Sequence, residues 1–349
     1  MGIAYRFILA RRCYNTTRCH QHGSSDTFSC ILRYLLALGL RAGLLHRIRY
    51  AAYGYREPIW SQQRTCIMKL AVNLWTVYGW NLPEPVSADV LRALARMGSQ
   101  GVELVIDDGA NSAEILLNRR QELSALLAEF HLETPSIGTA LFWRYNLASQ
   151  DETVRRNGLD LVRDGCRVAQ AYGAPVLLIL AGQQEPQTEY MRSYTTSVKT
   201  LRAAARIAAD AGVTLGVENV RTSLLGSPGE YASYLAAIDH PSVQAYLDFG
   251  NGMSVGPSFA ENWVTAVASR IAAVHAKDYD GAVNSHVCCG LGDVDWERTF
   301  AALRAAGYDG FLTVETPPHG HGSRPPATRA TGLHAARTSL QWLSGMEDR

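Results

Sequence analysis

VTLGVENV (213–220), YLDFGN (246–251), VHAKD (274–278) and FLTVE (311–315) are four short apolar runs, and each stops on a residue that can bind a metal or carry a proton. Those residues are Glu218, Asp248, His275 and Glu315. Apolar runs of this length with β-branched residues read as strands buried on both faces. Reading backwards, similar runs occur at 176–180, 134–137, 102–106 and 69–74. Helical patterns separate them, among them 152–172, 189–211 and 296–306. Gly101, Gly173, Gly212 and Gly307 each stand where a helix should end before the next strand. Eight strands alternating with helices predict an α/β fold with a parallel sheet, and eight strands close a (β/α)8 barrel. A doubly wound open sheet would want a glycine-rich phosphate loop after its first strand, and Asn73-Leu-Trp-Thr-Val-Tyr78 offers none.

Barrel enzymes place their chemistry at the carboxyl ends of the strands. Four neighbouring strands would therefore aim Glu218, Asp248, His275 and Glu315 into one cup. Three carboxylates and one imidazole suit one divalent ion, Mn, Mg or Co, with positions left for substrate oxygens. A single strand-end carboxylate is commonly a loop cap or an ion-pair partner, and a single His there is commonly only hydrogen-bonded. Four such residues on four consecutive strands argue for the metal. Lys277 follows His275 by two and shares its side of the strand, so it could bind a substrate oxygen or pair with a carboxylate. Asn251 could bind a hydroxyl or shape its loop. Asn219 alternates away from Glu218 and reads as support for the ligands. Trp143 and Trp75 could wall a sugar pocket or fill core. Asp107 and Asp108 read as loop caps, Cys288 and Cys289 as two free thiols rather than a metal pair, and His319 and His321 as residues of an exposed loop.

Composition narrows the class. The chain has 349 residues, 47% of them apolar, enough for one large barrel. No stretch of eighteen uncharged apolar residues suggests a membrane span. The net charge of +1 conceals an asymmetry: residues 1–67 carry ten Arg against Asp26 and Glu57, a net of +8, and the remainder is at −7. An acidic body argues against a nucleic-acid partner. The expectation is a cytoplasmic enzyme of a small carbohydrate, with a homodimer left open. Residues 68–349 read as the catalytic domain. Residues 1–67 read as a poorly structured N-terminal extension: an upstream start, an Arg-rich targeting peptide or, least favoured, a small accessory domain. Within it only 31–48 has a helical rhythm.

The stretches VTLGVENV, YLDFGN, VHAKD, GLGDVDW (290–296) and GYDGFLTVE (307–315) resemble the xylose isomerase-like TIM barrel superfamily, in its sugar phosphate isomerase/epimerase branch. Relatives there include D-tagatose 3-epimerase, hydroxypyruvate isomerase and inosose dehydratase. The likeness runs over about 68–315, and NLASQDETVRRNGLDLVRDGCRVAQAYGAP (146–175) shares it. It implies that Glu218, Asp248, His275 and Glu315 bind one divalent metal and that Glu218 and Glu315 are the acid–base pair. The chain departs from the epimerase pattern at three places. Asn251 stands where a His is usual, Gly281 where an Arg is usual, and Leu291 where a Glu is usual. The departures spare the metal set and point to a substrate other than a free ketohexose.

The expected activity is thus a metal-dependent isomerase or epimerase working through an enediolate. A dehydratase or lyase acting on a keto-polyol would use the same site. Two readings of another class stay open: a metal-free sugar-binding barrel, and an apurinic-endonuclease-like phosphodiesterase with three zinc ions.

Overall fold

The computed structural model describes residues 68–79, 84–220, 222, 224–256, 258–316 and 328–347. The expectations for residues 1–67, His319 and His321 lie outside them. The barrel strands are β1 Lys69–Asn73, β2 Gly101–Ile106, β3 Ser136–Thr139, β4 Val176–Leu180, β5 Thr214–Glu218, β6 Val243–Asp248 and β7 Ile271–Ala276. After a two-stranded antiparallel hairpin, β8 Asp278–Asp280 and β9 Ser285–Val287, comes the last barrel strand, β10 Phe311–Val314. These eight barrel strands pair in parallel in the closed order β1-β10-β7-β6-β5-β4-β3-β2. The expected (β/α)8 TIM barrel is therefore present.

The helices form for local reasons visible in the chain. In Glu152–Tyr172 the Asp151 carboxylate accepts from Thr153 N at 2.7 Å, and Gly173 ends the helix at φ 68°. Leu161, Val162, Gly165, Val168 and Ala169 recur at three- and four-residue spacing and are buried against the barrel. A Cβ at Gly165 would stand 2.7 Å from Leu177 Cδ2, so this helix seats closely on β4. Each fully buried Leu of the core contributes roughly 2 kcal/mol.

Two expectations shift, and two elements are new. The third strand begins at Ser136, not at 134, because Pro135 has no N–H to pair. Gly101 starts β2 and caps nothing; Gly98, at φ 90°, makes the turn before it. The hairpin β8–β9 and the helix Arg329–Glu347 were not legible in the sequence.

Candidate metal centre

Parallel pairing sets the four strand ends side by side. Asp248 is the register partner of His275, Glu218 that of Tyr246, and Glu315 N donates to Ala276 O at 3.2 Å just beyond β10. All four side chains are buried, and one ligand atom from each lies within 4.8 Å of the others. Among the described residues this is the one group of three or more His, Cys, Asp or Glu side chains close enough to hold an ion.

His275 Nδ1 sits at the centre. It lies 2.9 Å from Glu315 Oε2, 3.2 Å from Glu218 Oε1 and 3.8 Å from Asp248 Oδ2. The two oxygens of Asp248 do different jobs. Oδ1 accepts from Asn251 N at 2.7 Å and caps the short helix Phe249–Ser254. Oδ2 is buried, and Lys277 Nζ lies 2.7 Å from it. Three buried carboxylates and an imidazole nitrogen converging against a single ammonium form a donor set that fits a cation.

Lys277 is as buried as the ligands. Its ammonium pairs with Asp248 and also contacts Glu315 Oε1. Of its two sequence readings, the ion pair is the one seen. Burial would lower its pKa, but the charges of Asp248 and Glu315 outweigh burial and raise it. Burial would likewise raise Glu315, but Lys277 and His275 hold that carboxyl down to about 2. Glu218 is pushed the other way, to about 7, chiefly by burial and against the hydrogen bond from His275. His275 rises well above 6.5, since Glu315 and Glu103 outweigh the burial that would lower it. The two glutamates of one cup thus differ in proton affinity.

The other candidates are now placed. Asn251 Nδ2 donates to Glu218 Oε1 at 3.2 Å, so the side chain is in the cup and holds a ligand-type carboxylate. Asn219 exchanges two bonds with the Asp248 backbone, Nδ2 to O at 3.0 Å and Asp248 N to Oδ1 at 2.6 Å, and so fixes the end of β6. Trp143, 39% exposed, lies in the turn after β3, whereas Trp75 is buried. Asp107 caps its loop through Gly109 N and Asn111 N, and Asp108 pairs with Arg144. Cys288 and Cys289 carry free thiols and belong to no ligand group. Asp278 accepts from the N–H groups of Tyr279, Gly290 and Val294 and from Trp296 Nε1, so VHAKD and GLGDVDW are joined by one loop-organising carboxylate.

Glu103 is the residue that sequence reasoning missed. It is fully buried inside the barrel on β2, and His275 Nε2 lies 2.8 Å from its Oε2. Asn73 Nδ2 donates to the same oxygen; Ser136 Oγ and Tyr246 OH donate to Oε1, each at 2.9 Å. The signal was a carboxylate inside GVELVI, a run that should be buried on both faces, where an unpaired charge is prohibitively costly.

The closed barrel thus carries, at the carboxyl ends of four adjacent strands, a buried carboxylate–imidazole cup that could hold a metal ion. The family profile described as xylose isomerase-like TIM barrel matches residues 91–345, and the chain belongs to that family. L-ribulose-5-phosphate 3-epimerase UlaE of Escherichia coli (strain SMS-3-5 / SECEC) is 30% identical over 232 residues, which span 64% of this chain and 80% of that protein. The protein of the same name from Salmonella typhi is 29% identical over 228 residues, with the same two shares. Among solved structures, a D-tagatose 3-epimerase-like protein superposes with a TM-score of 0.65 at 21% identity, over 80% of this chain and 99% of that one. The IolI protein, solved with a zinc atom, gives a TM-score of 0.66 at 17% identity, over 80% and 98%. At these identities the solved structures speak for the fold alone. Curated relatives of this chain are sugar epimerases.

Proposed function

We propose that the chain is a divalent-metal-dependent sugar isomerase or epimerase acting through an enediolate. The observation that carries this reading is the convergence of Glu218, Asp248, His275 Nδ1 and Glu315 in one buried cup. Relatedness to L-ribulose-5-phosphate 3-epimerases supports a ketose or similar hydroxycarbonyl as the substrate class. A divalent ion held there would polarise a substrate carbonyl and offset the charge developing on its oxygen. Within the cup, Glu218 takes the proton from the carbon beside the carbonyl and returns it, since its Oε2 takes no hydrogen bond from the described residues. Return to the opposite face gives an epimer, and return to the neighbouring carbon gives an isomer. Burial of all four side chains keeps bulk water from supplying that proton instead.

A second reading, dehydration of a keto-polyol, draws on the contact between Lys277 and Glu315. A glutamate whose two oxygens are engaged by an imidazole and an ammonium is a poor second base, and loss of a hydroxyl needs only one base at the first carbon. The proposal also takes the enzyme to be cytoplasmic, with a small carbohydrate as partner. No described helix is long and apolar enough to cross a membrane.

Elemental analysis tests the metal. One Mn, Mg or Co ion per chain is expected, with Asp248→Ala losing most of it, because a charged oxygen of the cup is gone. Three zinc ions would favour a phosphodiesterase, no ion a binding barrel, and full occupancy in Asp248→Ala would remove Asp248 from the set.

A further inference from the structure

The structure assigns to Glu103 a positioning role: we propose that it fixes which nitrogen of His275 faces the cation and raises that nitrogen's donor strength. The inference rests on the metal reading above and adds to it a residue on the opposite side of the barrel.

A neutral imidazole has one N–H and one lone pair. A carboxylate only accepts, so the contact from His275 Nε2 to Glu103 Oε2, at 2.8 Å, puts a proton on Nε2, and with no cation bound Nδ1 also carries one toward Glu218 and Glu315. A cation entering among Glu218, Asp248 and Glu315 would displace the Nδ1 proton and meet the lone pair left there, while Glu103 keeps the other proton on Nε2. Glu103 cannot swing away to serve otherwise. Its two oxygens are held by Asn73 from β1, Ser136 from β3 and Tyr246 from β6. Tyr246 OH is the donor to Glu103 Oε1, since a carboxylate only accepts. Five side chains from five strands thus form one buried layer, which meets the cup at the His275 ring. A carboxylate behind a ligand imidazole increases the electron density offered by the opposite nitrogen, and losing such a partner typically weakens metal affinity 10–100-fold.

Glu103→Gln separates charge from shape. The Gln oxygen can still accept from His275 and Asn73, and its NH2 can donate to Ser136 Oγ and Tyr246 OH once those hydroxyls rotate. The layer stays hydrogen-bonded while its charge is lost. Titration of metal-free protein with Zn2+ against a chelator should show Glu103→Gln binding ~10-fold more weakly than wild type, with little change in melting temperature. Glu103→Leu, which also frees the tautomer, should bind ~100-fold more weakly. Wild-type affinity in both variants overturns the role of Glu103 and leaves the metal site standing. Wild-type protein that takes up no ion overturns the metal reading and this inference together. Nitrogen NMR of the Zn2+-loaded wild type reads the ring directly, without dependence on how the variants fold. A proton on Nε2 is expected, and a proton on Nδ1 overturns the assignment.

Discussion

Lys277 Nζ lies 2.7 Å from Asp248 Oδ2 and bridges onward to Glu315, so an internal ammonium occupies the edge of the cup that a divalent ion would share. The two cations compete for the same oxygens. Replacement by an uncharged chain of similar length, Lys277→Met, should tighten Mn2+ binding by about 10-fold or more, because like charges at close range repel strongly in a buried site. The metal-free variant should melt lower, since three buried carboxylates lose a counter-charge. Calorimetric titration of both proteins checks this. Weaker Mn2+ binding by the variant would show that the ammonium holds the carboxylates in place rather than competing for them.

Removal of metal should leave a fold that weakens as pH rises. The folded pKa of His275 lies above the unfolded value of about 6.5. Its contribution is therefore fully present below that value and is lost as pH climbs through the raised one. Glu218, at about 7 in the fold against 4.5 ordinarily, acts with the same sign. Glu315, held to about 2, has its transition on the acid side and takes no part here. The melting temperature of metal-free protein should fall from about pH 6 to about pH 8, and the rise on adding Mn2+ should be larger at the higher pH. A larger Mn2+ effect at the lower pH would contradict the assignment of these groups.

Substrate range should be narrowed at two positions. Asn251 is committed to Glu218, and Gly281, in the turn of the β8–β9 hairpin, offers only its N–H, which donates to Asp293 Oδ2 at 2.8 Å. A His and an Arg at these places would add donors for sugar hydroxyls, each worth ~1.5–3 kcal/mol when charged. Turnover of D-fructose or D-tagatose at C3 should therefore be slow, with kcat/KM at least ~10-fold below that of the best substrate found. Coupled assays over a panel of ketoses decide this, and fast C3 epimerisation of either hexose would refute it.

What could be read from the chain, and what could not, divides by distance along it. The strand-end ligands were legible because a buried parallel strand announces its end by a change from apolar to polar, and the chemistry sits at that change. Glu103 was not legible as a partner of His275, which is 172 residues away, since no local pattern pairs two strands across a barrel. The helix Arg329–Glu347 was hidden by Gly332, which costs about 1 kcal/mol relative to Ala in a helix interior. Its reason is tertiary: a Cβ there would meet Val77 O at 2.2 Å. The β8–β9 hairpin is short and polar, and it owes its place to Asp278, whose carboxylate gathers N–H groups from Tyr279, Gly290 and Val294.

Glu218 and Glu315 can be told apart by experiment, and the outcome chooses among the reactions. Glu315 Oε1 contacts Lys277 and its Oε2 faces His275, so both oxygens are engaged and the carboxyl is held as an anion. Glu218 accepts from Asn251 and lies against His275 through Oε1 alone; Oε2 takes no hydrogen bond from the described residues. The carboxyl with one uncommitted oxygen is the better proton carrier. Gln keeps the shape and one carbonyl oxygen but is a far poorer base. Glu218→Gln should retain part of its metal and lose at least ~10²-fold in kcat, the usual scale for a positioned acid–base group. Glu315→Gln is the deciding variant. If it loses as much while holding metal, and still exchanges a substrate proton with D2O without forming product, two bases act on opposite faces and the enzyme epimerises. If it stays within about 10-fold of wild type, Glu315 serves only to hold the cation and its lysine. One base must then both remove the proton and return it, or remove it while a hydroxyl departs, and the reaction is isomerisation or dehydration.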